Sequence, residues 1–337
     1  MKIVVDDKIP YILPTLRMLA EEVVALPGAD ICATDVRDAD VLVVRTRTRC
    51  DASLLSGSSV KLVATATIGY DHLDVEYLQR SGIRWVSCPG CNASSVAQYV
   101  ECSLLLLSKH YELDLSQHVL GVVGCGHVGS LVCNVGEHLG MKVLVNDPPL
   151  SRDGFVSLDE LTRRADIITF HVPLTRHVPY PTWHLADDVF FSRLERQPFI
   201  VNTSRGAVVD NAALLHALET SRARDAIIDV WEGEPNVNTD LLQRVFIGTP
   251  HIAGYSADGK ANADNMVVSA ICQQFGLPKP DRILPPQLPA SFCYTGNPLE
   301  LYNPMRDSDM LKRQPALFEH FRGSYPLRRE CYDVEKC

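Results

Sequence analysis

The segment 119–129 constrains this chain more than any other. Val119 to Val123 form an apolar run that empties directly into Gly124-Cys125-Gly126-His127-Val128-Gly129, and a helical pattern follows. Glycines at these three spacings have distinct physical uses. The first allows a tight turn, the second lets backbone approach a pyrophosphate, and the third lets the helix lie close on the sheet. The first N–H groups of that helix and its positive dipole then face an anion. A glycine-rich turn by itself also serves purely structural ends. Here the next expected strand ends in Asn146-Asp147, and Asp147 follows Gly129 by eighteen residues, close to the ~20 at which an acid meets the ribose hydroxyls of a dinucleotide. A carboxylate there favours NAD over a 2′-phosphorylated cofactor. Arg152 is the residue near enough in sequence to soften that preference.

At 337 residues the chain is too long for one compact core and suits two domains with an appendage. Short apolar runs alternate with helical periods, which implies parallel sheets covered by helices. Strands are expected at residues 3–5, 41–44, 60–64 and 84–87, with helices at 13–24, 52–55 and 75–79. A long helix follows at 94–109, with Ser94 and Ser95 as N-cap candidates. The second set has strands at 119–123, 142–145, 166–170, 199–202 and 226–230, a helix at 211–219, and a last helix at 266–275. The expected fold is therefore α/β, with a Rossmann-type nucleotide domain inserted into a flavodoxin-like α/β substrate domain. Residues 1–95 and 250–278 form the substrate-binding part and residues 96–249 the NAD-binding part, and the cleft between them is the default active site. From Pro278 on, the prolines at 280, 285, 286, 289 and 298 interrupt regular structure. Residues 279–337 read as a linker and a short dimerisation-type appendage.

The balance of 46% hydrophobic and 22% charged residues is that of a globular protein, and a net charge of −9 excludes a general affinity for nucleic acid or anionic membrane. An anionic substrate must be held by local Arg or Lys. No targeting segment is visible at Met1 and no apolar run is long enough to span a bilayer. Most of the eleven cysteines lie in apolar runs, so a cytoplasmic protein with reduced thiols is expected. Cys88-Pro89-Gly90-Cys91 is a single CxxC without a second pair or a spaced His, and is read as structural rather than as a metal site. No metal is expected.

Three further motifs follow the glycine fingerprint: Asn202-Thr203-Ser204-Arg205-Gly206, Asp229-Val230-Trp231-Glu232-Gly233-Glu234-Pro235, and Thr249-Pro250-His251-Ile252-Ala253-Gly254-Tyr255. The first two each follow an expected strand, where parallel sheets bind ligands. Oxidising a secondary alcohol needs a base for the hydroxyl proton, and His suits this near neutrality. A carboxylate on its other nitrogen fixes the tautomer. Arg suits a 2-hydroxy acid because its planar fork matches a carboxylate.

Together these motifs resemble the D-isomer-specific 2-hydroxyacid dehydrogenase family over roughly residues 1–275. The resemblance implies Arg205 as substrate anchor, Glu234 as the partner of the histidine, and His251 as general acid/base. It also places Val172, Thr203, Ser204, Asp229 and Gly254 on the cofactor, beside Arg205 and the fingerprint residues Gly124, Gly126, His127, Val128 and Gly129. His171 is expected to line the cofactor site and Trp231 to pack within its loop. Residues 64–72, 89–93, 146–149 and 251–255 resemble, more narrowly, the branch that acts on 4-phosphoerythronate. That likeness implies substrate contacts from Thr46, Thr67 and Tyr255.

The residues themselves add one observation. Arg45-Thr46-Arg47-Thr48-Arg49 is a basic, hydroxyl-rich turn in an acidic chain, where Arg45 and Arg47 could hold a phosphate; a solvated basic loop is the alternative. The implied partners are a small phosphorylated hydroxy acid and a second copy of the chain. Another 2-hydroxy acid such as 3-phosphoglycerate, or an NAD-sensing protein-binding scaffold, are the competing readings.

Overall fold

The computed structural model describes residues 1–331. The chain divides into two compact units, Met1–Asn92 with Ser256–Phe292, and Ala93–Tyr255 with Cys293–Cys337. Of the residues after 278, 279–292 cluster with the first unit and 293–331 with the second.

The first unit is a five-stranded parallel sheet of β1 (Lys2–Asp6), β2 (Glu22–Leu26), β3 (Val41–Val44), β4 (Leu62–Thr65) and β5 (Arg84–Val86), in the order β2-β1-β3-β4-β5. This is the flavodoxin-like order. Both faces are covered, so the central strands β3 and β4 are buried along their whole length, and side chains alternate between two cores. Ile3, Val5, Val41 and Val43 pack in one core, and Val4, Leu42, Val44 and Val63 in the other.

Two expectations for this unit need correction. The helix expected at 13–24 ends at Leu19, and Glu22–Leu26 instead pairs in parallel with β1 as an edge strand. β-branched Val23 and Val24 fit that pleated position better than a helix end. The helix expected at 266–275 runs from Ala257 to Phe275, capped by Ser256 through its contact with the Gly259 amide. Its first half is rich in Ala, Gly, Asn and Asp and carries little apolar periodicity.

The second unit has six parallel strands: β6 (Val119–Val123), β7 (Lys142–Asn146), β8 (Ile167–Phe170), β9 (Phe199–Asn202), β10 (Asp225–Ile228) and β11 (Ile247–Gly248). Their order is β11-β10-β9-β8-β6-β7. The direction of winding reverses at β6, which has β7 on one side and β8 on the other. Ligands of open α/β sheets bind outside the carboxyl ends of the strands at such a switch point. The fingerprint loop leaves β6 at this point. One core face carries Leu120, Val122, Ile227 and Ile252, and the other Phe170, Ile200, Ile228 and Trp231.

The helix of this unit expected at 94–109 spans Ala93–Tyr111, and Ser94 and Ser95 lie inside it rather than capping it. Their hydroxyls bond elsewhere, Ser94 to Glu330 and Ser95 to the Ala253 carbonyl. Despite its prolines, the C-terminal segment forms helices Pro298–Leu301, Pro304–Arg313 and Phe318–Gly323. It adds Tyr302 to one core of its unit and Leu311 and Phe318 to the other.

No helix among the described residues is long and apolar enough to cross a membrane. Most cysteines are free thiols, including buried Cys88 and Cys91, but Cys293 is disulfide-bonded. That bond departs from the expectation of reduced thiols throughout.

Candidate active site

The fingerprint loop is shaped by its glycines in three different ways. Gly124 has φ +90°, and a Cβ there would stand 2.5 Å from the His171 carbonyl and 2.7 Å from Val172. A Cβ on Gly129 would lie 1.8 Å from the Gly124 carbonyl, so the helix could not seat on the turn. Gly126 is different, because a Cβ there would meet nothing within 4 Å. The loop therefore keeps open space at its N-cap, directly before helix His127–His138, whose first amides lack intrahelical partners. This cradle and the helix terminus fit a pyrophosphate.

Asp147, half-buried at the end of β7, accepts the Cys125 amide at 2.7 Å through Oδ2. It thereby ties the second strand to the fingerprint loop. His171 follows β8 and is held between Thr169 at 2.8 Å and Thr203 at 3.3 Å. Burial pushes this imidazole down to about 3, so it stays neutral, which suits a lining residue. Ser204 is buried with its amide and hydroxyl on Asn202 Oδ1, and the Asn202 amide in turn donates to the Arg205 carbonyl at 3.0 Å. Asn202 thus shapes the turn that presents Arg205. The Arg205 guanidinium donates to the Ser204 carbonyl at 2.8 Å.

The turn bearing Arg205 is pressed against the acid loop. A Cβ on Gly206 would lie 2.0 Å from the Trp231 carbonyl. Trp231 is buried and anchors its loop by donating Nε1 to the Thr249 carbonyl at 2.9 Å. Glu234 Oε1 accepts the Trp231 amide at 2.8 Å, and its Oε2 lies 2.8 Å from His251 Nδ1. The side chains of His251 and Glu234 are 28% and 18% exposed, so the pair is largely screened from water yet reachable. Desolvation raises the Glu234 carboxyl, but the hydrogen bond and charge of His251 and the Trp231 amide outweigh it, and the group sits below its ordinary 4.5. An ionised Glu234 on Nδ1 leaves Nε2 of His251 as the nitrogen available to accept a proton.

His251 has φ +57°, a left-handed backbone that costs a non-glycine residue about 1–3 kcal/mol and persists only where the surroundings impose it. Buried Asp229 supplies part of that imposition. Its carbonyl accepts the His251 amide at 2.8 Å. Its carboxylate accepts Ile252 N at 2.8 Å, Ala253 N at 2.9 Å and Thr249 Oγ1 at 2.6 Å. Asp229, expected on the cofactor, thus has its carboxylate engaged by the separate loop 249–253.

In the first unit, one arginine of the basic turn is already engaged. Arg45 donates Nε to Asp6 Oδ2 at 3.0 Å and Nη2 to Oδ1 at 3.1 Å. One forked face of Arg45 is thus filled by a fully buried carboxylate. Thr46 and Arg47 are exposed at the end of β3, and Arg49 pairs with Asp51 at 2.8 Å. The Thr67 hydroxyl bonds to Thr65 Oγ1 at 2.6 Å and to the Gly69 carbonyl at 2.8 Å.

Two arginines of the C-terminal segment went unassigned from sequence. Burial lowers Arg322, but Tyr255 and Glu234 beside it raise it above the ordinary arginine value. Arg328 bonds the loop that carries His251 and Tyr255. Their only sequence signal is a run of basic residues near the end of an acidic chain.

Residues 105–253 match the family model for the NAD binding domain of D-isomer specific 2-hydroxyacid dehydrogenases, so NAD is the cofactor of this unit. An NAD+-bound 3-phosphoglycerate dehydrogenase from Entamoeba histolytica superposes with a TM-score of 0.67 at 27% identity, over 82% of this chain and 95% of that one. An erythronate-4-phosphate dehydrogenase from Azotobacter vinelandii is 42% identical over 98% of this chain and 93% of its own length. One from Bacteroides fragilis is 50% identical over 98% and 97%. The chain therefore belongs to the erythronate-4-phosphate dehydrogenase family of D-isomer specific 2-hydroxyacid dehydrogenases.

Proposed function

We propose that this protein oxidises the 2-hydroxyl of 4-phospho-D-erythronate to give 3-hydroxy-2-oxo-4-phosphooxybutanoate, a step of pyridoxal 5′-phosphate (vitamin B6) biosynthesis. The observation that carries the reading is the 2.8 Å contact between His251 Nδ1 and Glu234 Oε2, on a unit whose fingerprint loop fits NAD. NAD, when bound, supplies the acceptor for the hydride that leaves C2. Nε2 of His251 takes the hydroxyl proton, and Glu234 steadies the imidazolium that results. Arg205 holds the substrate carboxylate in its planar fork. Thr46, Arg47, Thr67 and Tyr255 are assigned to the remainder of the substrate, with Arg45 held in place by Asp6.

The reading includes a homodimer, which the family resemblance implies, in the cytoplasm, which the sequence composition suggests. NADH absorbance with 4-phosphoerythronate, 3-phosphoglycerate and lactate in parallel tests it, with a 2-oxo acid acceptor added in a second series. A clear preference for the first acid is expected. Preference for another acid would replace the substrate, and NAD binding without turnover on any of them would favour the scaffold reading.

A further inference from the structure

The loop carrying His251 and Tyr255 is gripped from two chemically opposite sides. Asp229 takes its N–H groups, at residues 252 and 253. Arg328, contributed by the C-terminal segment, takes its carbonyls. Nη1 donates to Ile252 O and Tyr255 O, both at 3.0 Å, and Nη2 donates to Ala253 O at 2.6 Å. Nη2 also reaches Ser95 O at 3.2 Å and Ser95 Oγ at 3.1 Å, while Ser95 Oγ itself donates to Ala253 O at 2.9 Å.

Arg328 is only 7% exposed, and its guanidinium carbon lies 3.9 Å from the centre of the Tyr302 ring. A buried cation is costly unless its donors are used. Here Nη1 and Nη2 are spent on three carbonyls within four consecutive residues and on Ser95, while the buried Nε has no hydrogen-bond partner among the described residues. Carbonyls spaced in this way suit a planar fork and not a single ammonium. The left-handed backbone at His251, immediately before these residues, needs such external support.

We propose that Arg328 is a positioning residue of the reaction. Through residues 252–255 it sets the aim of His251 and the reach of Tyr255, which makes the C-terminal segment a working part of the site. The consequence for turnover rests on His251 acting as the base.

The test uses the full chain with Arg328→Lys and, as the milder perturbation, Ser95→Ala. Melting temperature and NADH binding verify the fold, amide hydrogen exchange at residues 251–256 reads the loop, and kcat and KM read the chemistry. In folded Arg328→Lys we expect exchange at Ile252 and Ala253 at least tenfold faster and kcat at least tenfold lower. KM for the hydroxy acid should rise, with KM for NAD within about twofold of wild type. Ser95→Ala should move the same quantities in the same direction by less. If Arg328→Lys does not fold, Ser95→Ala alone decides.

Unchanged loop exchange and kcat in the folded variants would overturn the proposal, as would faster exchange spread evenly over the whole unit. Should wild type turn over no hydroxy acid, the proposed function fails while the exchange result still decides whether Arg328 holds the loop.

Discussion

His251 and Glu234 share a 2.8 Å contact although seventeen residues separate them, while the Trp231 amide holds the other oxygen of Glu234 at 2.8 Å. Proton acceptance at Nε2 depends on both halves of this arrangement. His251→Ala should lower turnover by a factor of about 10²–10⁴ while leaving NADH binding nearly intact. Wild-type-like turnover in that variant would remove His251 from the role of base.

The carboxyl of Glu234 sits below its ordinary value of 4.5. A depressed folded value means that the stabilisation from its ionised form is fully present above that ordinary value and is lost as pH falls through the lowered one. Glu234→Gln should therefore be less stable than wild type near neutrality, and the gap should close in acid. Urea melts at neutral and acid pH measure this. A gap that stays constant would show that the carboxylate charge contributes nothing.

Gly126 and Gly129 should separate binding from folding. Gly126→Ala places its methyl in open space and Gly129→Ala drives one into the Gly124 carbonyl. The first should melt like wild type yet bind NADH at least tenfold more weakly. The second should lose about 1–3 kcal/mol, as overpacked sites do. Tight NADH binding by Gly126→Ala would mean that the open space is not used by the cofactor.

Arg45 and Arg47 should likewise part company. Arg45→Ala strands the buried Asp6 carboxylate and should destabilise the protein, by up to about 3–5 kcal/mol if no water reaches it. Arg47→Ala should raise KM for the phosphorylated acid more than for an unphosphorylated one. Equal KM changes for the two acids would detach Arg47 from the phosphate.

What the sequence made legible follows local pattern. β6 begins and ends where its apolar run does, because a strand buried on both faces has no polar residue to blur the boundary. β2 was hidden because it is an edge strand of mixed exposure, in which Glu22 and the half-buried Val23 and Val24 satisfy a helical spacing as well as a strand. The long helix 257–275 was seen only in its apolar half. Arg205, Glu234 and His251 each stand in a compact motif and were read from it. The restraint on Arg45 was not legible, since Asp6 lies 39 residues away. Nor were the holds of Asp229 and Arg328 on residues 252–255, since hydrogen bonds to backbone leave no residue-type signature on the loop that receives them.

The contact of Gly206 with the Trp231 carbonyl bears on how this site can change over time. The loops of Arg205 and Glu234 come from different strands, yet they leave no room for even a methyl group between them. They must be inherited as a matched pair. A graft that imports one loop from a distant dehydrogenase, without the other, should misplace both the anchor and the acid. New substrate preference is therefore easier to reach through residues that touch neither loop.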